Sequence, residues 1–256
     1  MSVTLFVLSD IHGHYREMIN ALDAAGFDPQ NPKHELLALG DYFDRGTQNT
    51  AVYEYLKSLM ERGKAEGLLG NHDCFMLEFL QGNDHKTLFN VQYNGFGQTL
   101  EDFSAMPYSP SQHSAIRHAI LSHYPGLLAW CEQRPLFIEH EGYVFTHGGV
   151  NGKDPNWRNQ PRETFVWNYQ TTLAPLKDKT VVVGHERTPQ IRMKRGIMHG
   201  ISLEDPRASQ PIHDEHVIYI DPFVEATKRM NVVTFTLKHS LVRGGVSSNK
   251  SRTQTL

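Results

Sequence analysis

Five short apolar runs, each ending abruptly in a cluster of polar residues, constrain the fold of this chain more than any other feature. They cover residues 3–8, 36–39, 67–69, 143–145 and 181–183. Continuous rather than alternating apolar runs are typical of strands that are buried on both faces of a sheet. We therefore predict five core strands, with polar side chains gathered where each strand ends.

Two segments with helical spacing separate the first three runs. Apolar residues repeat every three or four positions over residues 15–25 and again over residues 50–61. Strands that alternate with helices predict an α/β fold with a largely parallel sheet, whose ligands gather beyond the carboxyl ends of its strands. Every polar cluster that follows a run lies at such an end.

The rest of the chain departs from this alternation. Residues 82–134 carry helical signals interrupted by glycine and proline, which predicts a helical insertion, with helices over 98–106, 111–123 and 124–133. Residues 136–138 and 143–145 predict a hairpin, and residues 216–220 and 232–237 predict closing strands. We expect one domain over residues 1–238 and a polar, flexible tail over residues 239–256.

Composition and charge exclude several classes of partner. The formal net charge is −3, so no overall positive field favours nucleic acid or an anionic membrane. No stretch approaches the roughly 20 apolar residues of a membrane span, and the first residues lack the features of a signal peptide. Cys74 and Cys131 form no paired-thiol motif, which favours reduced thiols in a cytoplasmic protein.

Residues suited to binding metals follow the strands. Asp10 and His12 lie two apart, so an extended strand end places both on the same side. Asp41 and Asn71 follow at nearly equal intervals, one strand–helix unit apart each time, and should lie on neighbouring strands. Carboxylate, imidazole and amide donors without thiolate favour Mn²⁺, Fe or Zn²⁺, and a carboxylate shared by two cations is a usual way to clamp a phosphoryl group.

Five ordered segments resemble those of a known family. They are Ser9-Asp10-Ile11-His12-Gly13, Gly40-Asp41-Tyr42-Phe43-Asp44-Arg45-Gly46, Gly70-Asn71-His72-Asp73, His147-Gly148-Gly149 and Gly184-His185. Together they resemble the calcineurin-like metallophosphoesterases, in particular the phosphoprotein phosphatase branch with its bacterial relatives. Residues 94–100 also resemble a signature of the bacterial branch. The resemblance implies a mixed β core of two packed sheets, flanked by helices.

The resemblance also implies roles for individual residues. A first metal would be held by Asp10, His12 and Asp41, and a second by Asp41, Asn71, His147 and His185. Mn²⁺ is the leading candidate for both metals, with Fe or Zn²⁺ as alternatives, and a water bridging them would attack the phosphate. His72 would protonate the leaving group, Asp44 would orient His72, and Arg45 would hold phosphate oxygens. Asp73 could support the site or cap the helix that follows it.

Two positions bear on which branch of the family the chain resembles and on how it binds the phosphate of its substrate. Arg187 stands two positions after His185, where much of the wider superfamily has another metal-binding histidine, and this favours the phosphoprotein phosphatase branch. Tyr169 stands where many bacterial relatives have a second phosphate-binding arginine. Arg158, Arg162 or Arg187 could replace that arginine, and the sequence does not choose among them.

Three functions follow from these residues. The leading one is hydrolysis of phosphate monoesters, with phosphoserine or phosphothreonine in proteins as substrate. The alternative is hydrolysis of a dinucleoside polyphosphate, because bacterial relatives include such enzymes and the insertion could enclose a small substrate. An inactive metal-binding interaction module is disfavoured, since every proposed ligand and His72 are present.

Overall fold

Two β-sheets form the centre of the molecule. The computed structural model describes residues 2–167, 176–198 and 200–241. The strands are β1 (Val3–Leu8), β2 (His34–Ala38), β3 (Ala65–Gly67), β4 (Phe137–His140), β5 (Tyr143–Thr146), β6 (Thr180–Val183), β7 (Ile212–His213), β8 (Val217–Tyr219) and β9 (Val233–Leu237). The helices are α1 (Tyr15–Ala24), α2 (Asn49–Glu61), α3 (Asn71–Leu80), α4 (Thr87–Asn94), α5 (Phe96–Ser104), α6 (His113–His123), α7 (Leu127–Glu132), α8 (Arg162–Trp167), α9 (Thr188–Lys194), α10 (Pro206–Ser209) and α11 (Val224–Thr227).

Each sheet has parallel central strands and at least one antiparallel edge strand. The first sheet has the order β3-β2-β1-β9, in which β1, β2 and β3 are parallel and β9 is antiparallel to β1. The second has the order β4-β5-β6-β8-β7, in which β5, β6 and β8 are parallel while β4 and β7 run antiparallel. Consequently the parallel strands of each sheet end at a shared edge.

The two sheets pack face to face. One buried cluster joins side chains of both sheets, among them Leu5 and Val7 of β1, Phe145 of β5 and Val182 of β6. A second cluster lies between the first sheet and helices α1 to α7, and a third covers the outer face of the second sheet. The predicted α/β fold, with mixed sheets, flanking helices and a helical insertion, is confirmed.

Two boundaries differ from the sequence prediction, and one helix was not predicted. The third strand lies at Ala65–Gly67, before the predicted 67–69, and Leu68 and Leu69 are buried in the connection that follows. An apolar run reports burial rather than strand pairing, which explains the shift. The insertion contains α4, which was not predicted, and α5 begins at Phe96 because Gly95 adopts a left-handed conformation between the two helices.

The remaining boundaries shift by a few residues. The helix predicted over 111–123 starts as a 3₁₀ turn at Pro110–Gln112, and the one predicted over 124–133 is the shorter α7. The predicted tail starts at residue 239, yet Leu241 is buried and its N–H donates to Glu35 Oε2 over 2.9 Å. Residues 242–256 lie outside the described residues. In the described ranges, no helix combines the length and apolar character required to cross a bilayer.

Candidate metal centre

The candidate site lies where the parallel strands of both sheets end. The loops after β1 and β2 are joined by backbone hydrogen bonds, from Asp10 N to Gly40 O over 3.2 Å and from His12 N to Asp41 O over 2.9 Å. The loops after β5 and β6 are joined in the same way, from Gly184 N to His147 O over 3.0 Å. The fold therefore fixes the loops relative to one another through the main chain.

Six of the predicted site residues share an unusual backbone conformation. Their φ angles are positive: Asp10 56°, His12 47°, Asp41 54°, Asp44 75°, Arg45 66° and His185 60°. Such left-handed residues are uncommon outside glycine and concentrate at functional sites, where surrounding contacts hold them. All six lie in the loops that follow β1, β2 and β6.

Two groups of metal-donor side chains share Asp41. One consists of His12, Asp41 and His72, and the other of Asp41, His147 and His185, with the donor atoms of each group within 4.8 Å of one another. His12 Nε2 lies 3.6 Å from Asp41 Oδ2, and His147 Nε2 lies 3.3 Å from Asp41 Oδ1. The two oxygens of one carboxylate thus face two separate donor groups, the arrangement expected of a bridging ligand.

The other two predicted ligands lie beside these groups. Asp10 Oδ1 is 3.9 Å from His12 Nε2, and Asp10 Oδ2 accepts the His185 N–H over 3.0 Å. Asn71 Oδ1 lies 2.9 Å from His147 Nε2. The structure therefore brings all six predicted ligands together; five are buried and His185 is partly buried.

The orientation of the histidines suits metal binding. His12 Nδ1 donates to Phe43 O over 2.9 Å, and His147 Nδ1 donates to Leu39 O over 3.0 Å. Backbone carbonyls only accept, so they place a proton on Nδ1 and direct Nε2 toward the carboxylates. Such a hydrogen bond from the second nitrogen is the usual way that proteins orient a metal-ligating histidine.

Burial and mutual charge set the protonation of the second group. Burial would raise the pKa of Asp41, but the neighbouring His147 holds that pKa well below its usual range. Burial would lower the pKa of His147, but the Asp41 carboxylate raises it to about 9. Burial and the nearby His147 lower the pKa of His185 to about 3. Asp41 and His147 therefore form a buried ion pair, in which the imidazolium supplies positive charge beside the carboxylate.

Arg45 supplies positive charge to the first group. Its Nη1 donates to His12 Nε2 over 2.8 Å, and its Nη2 donates to His72 Nε2 over 2.9 Å. Burial and the guanidinium both hold the pKa of His12 well below its usual range, so His12 is neutral. Since His12 Nε2 has a single lone pair, it can bind either Arg45 or a cation.

The His72 side chain is held by Asp44. Its Nδ1 lies 2.6 Å from Asp44 Oδ2, and the Thr99 hydroxyl donates to Asp44 Oδ1 over 2.5 Å. The Asp44 N–H is bound in turn by Asn49 Oδ1 over 3.0 Å. Sequence reasoning missed Thr99 and Asn49 as contributors to the site. In the sequence, Thr99 could have been found from its position inside the 94–100 segment, which resembles the bacterial-branch signature.

Asp73 supports the loop that carries Asp41. Its Oδ2 accepts the N–H groups of Asp41 and Gly70, each over 2.8 Å, and its Oδ1 accepts the Tyr42 N–H over 2.9 Å. Asp73 therefore both caps α3 and fixes the backbone beneath Asp41. Gly70 must be glycine here, because a Cβ at this position would lie 2.2 Å from Asp41 Oδ1.

A cavity of about 190 Å³ lies at the donor groups. Arg158, Arg162 and Arg187 could each replace the arginine absent at Tyr169, and of these three only Arg187 lines this cavity. Its Nη2 donates to Glu225 Oε1 over 2.7 Å, and Arg45 Nη1 donates to the same oxygen over 2.8 Å. Arg158 pairs with Glu139 instead. Tyr169 itself lies outside the described residues.

Comparison with known proteins decides the family. The model of the calcineurin-like phosphoesterases matches residues 3–217, most of the chain. The chain belongs to this family. The family implies divalent metal ions, and the donor groups around Asp41 fit such ions.

Curated relatives of two kinds resemble the chain. An asymmetrical bis(5'-nucleosyl)-tetraphosphatase, PrpE of Geobacillus sp. (strain WCH70), is 31% identical over 156 residues, which cover 57% of this chain and 60% of that protein. A symmetrical bis(5'-nucleosyl)-tetraphosphatase of Glaesserella parasuis is 42% identical over 184 residues, which cover 71% of this chain and 53% of that protein. The matched part thus spans between half and two thirds of these relatives.

Solved structures agree with the fold. A crystal structure described as a candidate diadenosine tetraphosphatase has a TM-score of 0.55 and 16% identity, covering 93% of this chain and 95% of that chain. The cold-active protein-tyrosine phosphatase of a Shewanella species has a TM-score of 0.52 and 16% identity, covering 91% and 75%. At this identity the likeness concerns the fold alone.

Proposed function

We propose that the protein hydrolyses dinucleoside polyphosphates at a centre of two divalent cations. The observation that carries the proposal is the pair of donor groups sharing Asp41, beside a cavity with two arginines, Arg45 and Arg187. Such a site suits a small polyanion. Relatives of both kinds bear tetraphosphatase names, which favours this substrate over the phosphoprotein that the motifs first suggest.

The residues present fit the implied metals. In the proposal, Asp10, His12 and Asp41 hold one cation, while Asp41, Asn71, His147 and His185 hold the other. This oxygen and nitrogen donor set suits Mn²⁺ first, with Fe or Zn²⁺ as alternatives. When bound, the cations supply positive charge that polarises a phosphate ester and makes water more acidic.

His72 is proposed to protonate the leaving-group oxygen. Because Nδ1 is directed to Asp44, Nε2 is the nitrogen that would transfer the proton. In the structure this Nε2 accepts a hydrogen bond from Arg45. Asp44 stabilises the imidazolium that would deliver the proton, and Thr99 fixes Asp44 in place. The chain thus supplies an oriented acid beside the donor groups.

Arg45 and Arg187 are proposed to grip the phosphate chain. Guanidinium groups bind phosphate oxygens through charge-assisted hydrogen bonds. Both arginines donate to Glu225 Oε1, so Glu225 holds two cationic side chains together that would otherwise repel. The Arg187 guanidinium also lies 4.0 Å from the ring centroid of Phe223, which further restricts it. Arg187 thereby takes the role of the arginine absent at Tyr169.

A direct comparison of substrates tests the proposal. With Mn²⁺-loaded protein, we expect kcat/KM for diadenosine tetraphosphate to exceed that for a phosphothreonine peptide, and product analysis to show two ADP or ATP with AMP. A preference for the peptide would replace the proposal by a protein Ser/Thr phosphatase, which the motif order and Arg187 favour. If the protein does not hydrolyse even p-nitrophenyl phosphate, the remaining hypothesis is an inactive metal-binding interaction module.

The proposed location is the cytoplasm. Cys74 and Cys131 are both free and buried, which suits a reducing compartment.

A further inference from the structure

A second cavity adjoins the metal-site cavity. Its volume is about 500 Å³, within the roughly 300–1,000 Å³ typical of small-molecule sites. Asn94 and Trp167 line both cavities. A molecule with phosphates at the donor groups could therefore extend into the second space without leaving the protein surface.

Aromatic rings form much of its wall. Phe75, Phe89 and Trp167 line it, and the Trp167 ring lies 6.1 Å from Phe75 and 5.6 Å from His185. Trp167 thus separates the metal donors from the second cavity. Phe89 is 59% exposed and Trp167 is 38% exposed, so neither is needed to fill the core.

Polar groups complete the wall, and its charged side chains are of both signs. The Asn94 amide donates to Asn90 Oδ1 over 2.9 Å, and both amides line the cavity. Arg162 pairs with Glu78 over 3.1 Å, so these two opposite charges offset each other. Aromatic faces with amide groups suit a planar heterocycle, whereas phosphates would favour the two arginines of the metal-site cavity.

We propose that the cavity lined by Phe75, Phe89, Asn90, Asn94 and Trp167, here called the aromatic cavity, binds one nucleoside of the substrate. It rests on the proposed function, because a substrate without a nucleoside needs no second subsite. The base stacks on the aromatic rings, and its edge is bound by the asparagine amides. The attached phosphates pass Trp167 to reach the donor groups.

Phe89→Ala tests the proposal with Leu88→Ala as its matched control. The two residues are neighbours on α4 and similarly exposed, at 59% and 56%, but only Phe89 lines the aromatic cavity. We expect Phe89→Ala to raise KM for diadenosine tetraphosphate about tenfold, from the loss of one stacking contact. Leu88→Ala should leave this KM unchanged. Leu88→Ala should also leave unchanged kcat for p-nitrophenyl phosphate and inhibition by inorganic phosphate, which report on the metal-site cavity.

A second measurement separates this proposal from the proposed function. Adenosine alone is titrated into wild-type protein and both variants, with tryptophan fluorescence as the signal. If diadenosine tetraphosphate is cleaved but Phe89→Ala leaves its KM unchanged, the nucleoside site is overturned and the function stands. If diadenosine tetraphosphate is not cleaved, the proposed function fails. In that case, adenosine binding that Phe89→Ala weakens supports the nucleoside site, and no adenosine binding overturns it.

Discussion

Replacing Gly95 by alanine should damage the phosphate grip through the backbone of Arg45. Gly95 joins α4 to α5 with φ of +80°, a conformation that alanine adopts only at a cost. A Cβ at this position would lie 2.6 Å from Arg45 N and 2.9 Å from Arg45 Cα. These distances are far inside van der Waals contact, and neither backbone atom can rotate away. The loop carrying Arg45 must therefore shift.

Gly82 provides a control that isolates the conformational cost. Its φ is +86°, yet a Cβ there would meet nothing within 4 Å. A left-handed alanine costs roughly 1–2 kcal/mol, so Gly82→Ala should lower the melting temperature by about 3–6 °C in a chain of this size. Gly95→Ala adds about 1–3 kcal/mol of overpacking, so a decrease of about 6–15 °C is expected in total.

Kinetics should separate the two variants more sharply than stability. Gly82→Ala should retain kcat/KM, whereas Gly95→Ala should lower it about tenfold to a hundredfold, because small misplacements of positioning groups are costly. The measurements are thermal unfolding and steady-state hydrolysis of diadenosine tetraphosphate. Equal melting temperatures and equal kcat/KM for the two variants would refute the reasoning that Gly95 positions Arg45.

Two substitutions and one pH dependence test other parts of the site. His72→Asn should keep its metal but lose about 10²–10⁴-fold in kcat on an alkyl phosphate, whose leaving oxygen needs a proton, and much less on p-nitrophenyl phosphate. Equal losses would refute the acid role, and lost metal would make His72 a ligand. Arg187→Ala should raise KM for diadenosine tetraphosphate about tenfold, from a lost charged hydrogen bond, while Arg158→Ala should not; identical values would remove Arg187 from substrate binding. Because the pKa of His147 is about 9, Mn²⁺ must displace a proton below that pH, so calorimetric affinity should rise with pH up to about 9 and then level off. A pH-independent affinity from pH 7 to 9 would contradict the Asp41–His147 ion pair.

The positions of the metal donors were predictable because they depend on local pattern. An apolar run followed by Asp10 or Asp41 marks the end of a buried strand, and parallel strands end together at one edge. These strand ends can be located without knowledge of side-chain contacts. The strand boundary at β3 was less accessible, because Leu68 and Leu69 are as apolar as strand residues although they follow the strand.

Contacts between distant segments could not be read from local pattern. Thr99 reaches Asp44 across 55 residues, and Glu225 reaches Arg45 across 180. Glu225 lies on the four-residue helix α11, which is too short for helical periodicity to reveal. The arginine that accompanies Arg45 could therefore be identified only once the fold placed Arg187 beside it.

Hydrogen bonds of the chain itself hold the left-handed residues at the site. A non-glycine residue in this conformation costs on the order of 1–3 kcal/mol and persists only where its surroundings fix it. At Asp41, three N–H donors around Asp73 and the bond from His72 N to Asp41 Oδ1 over 2.9 Å provide that restraint. These hydrogen bonds thus fix the backbone that carries Asp41.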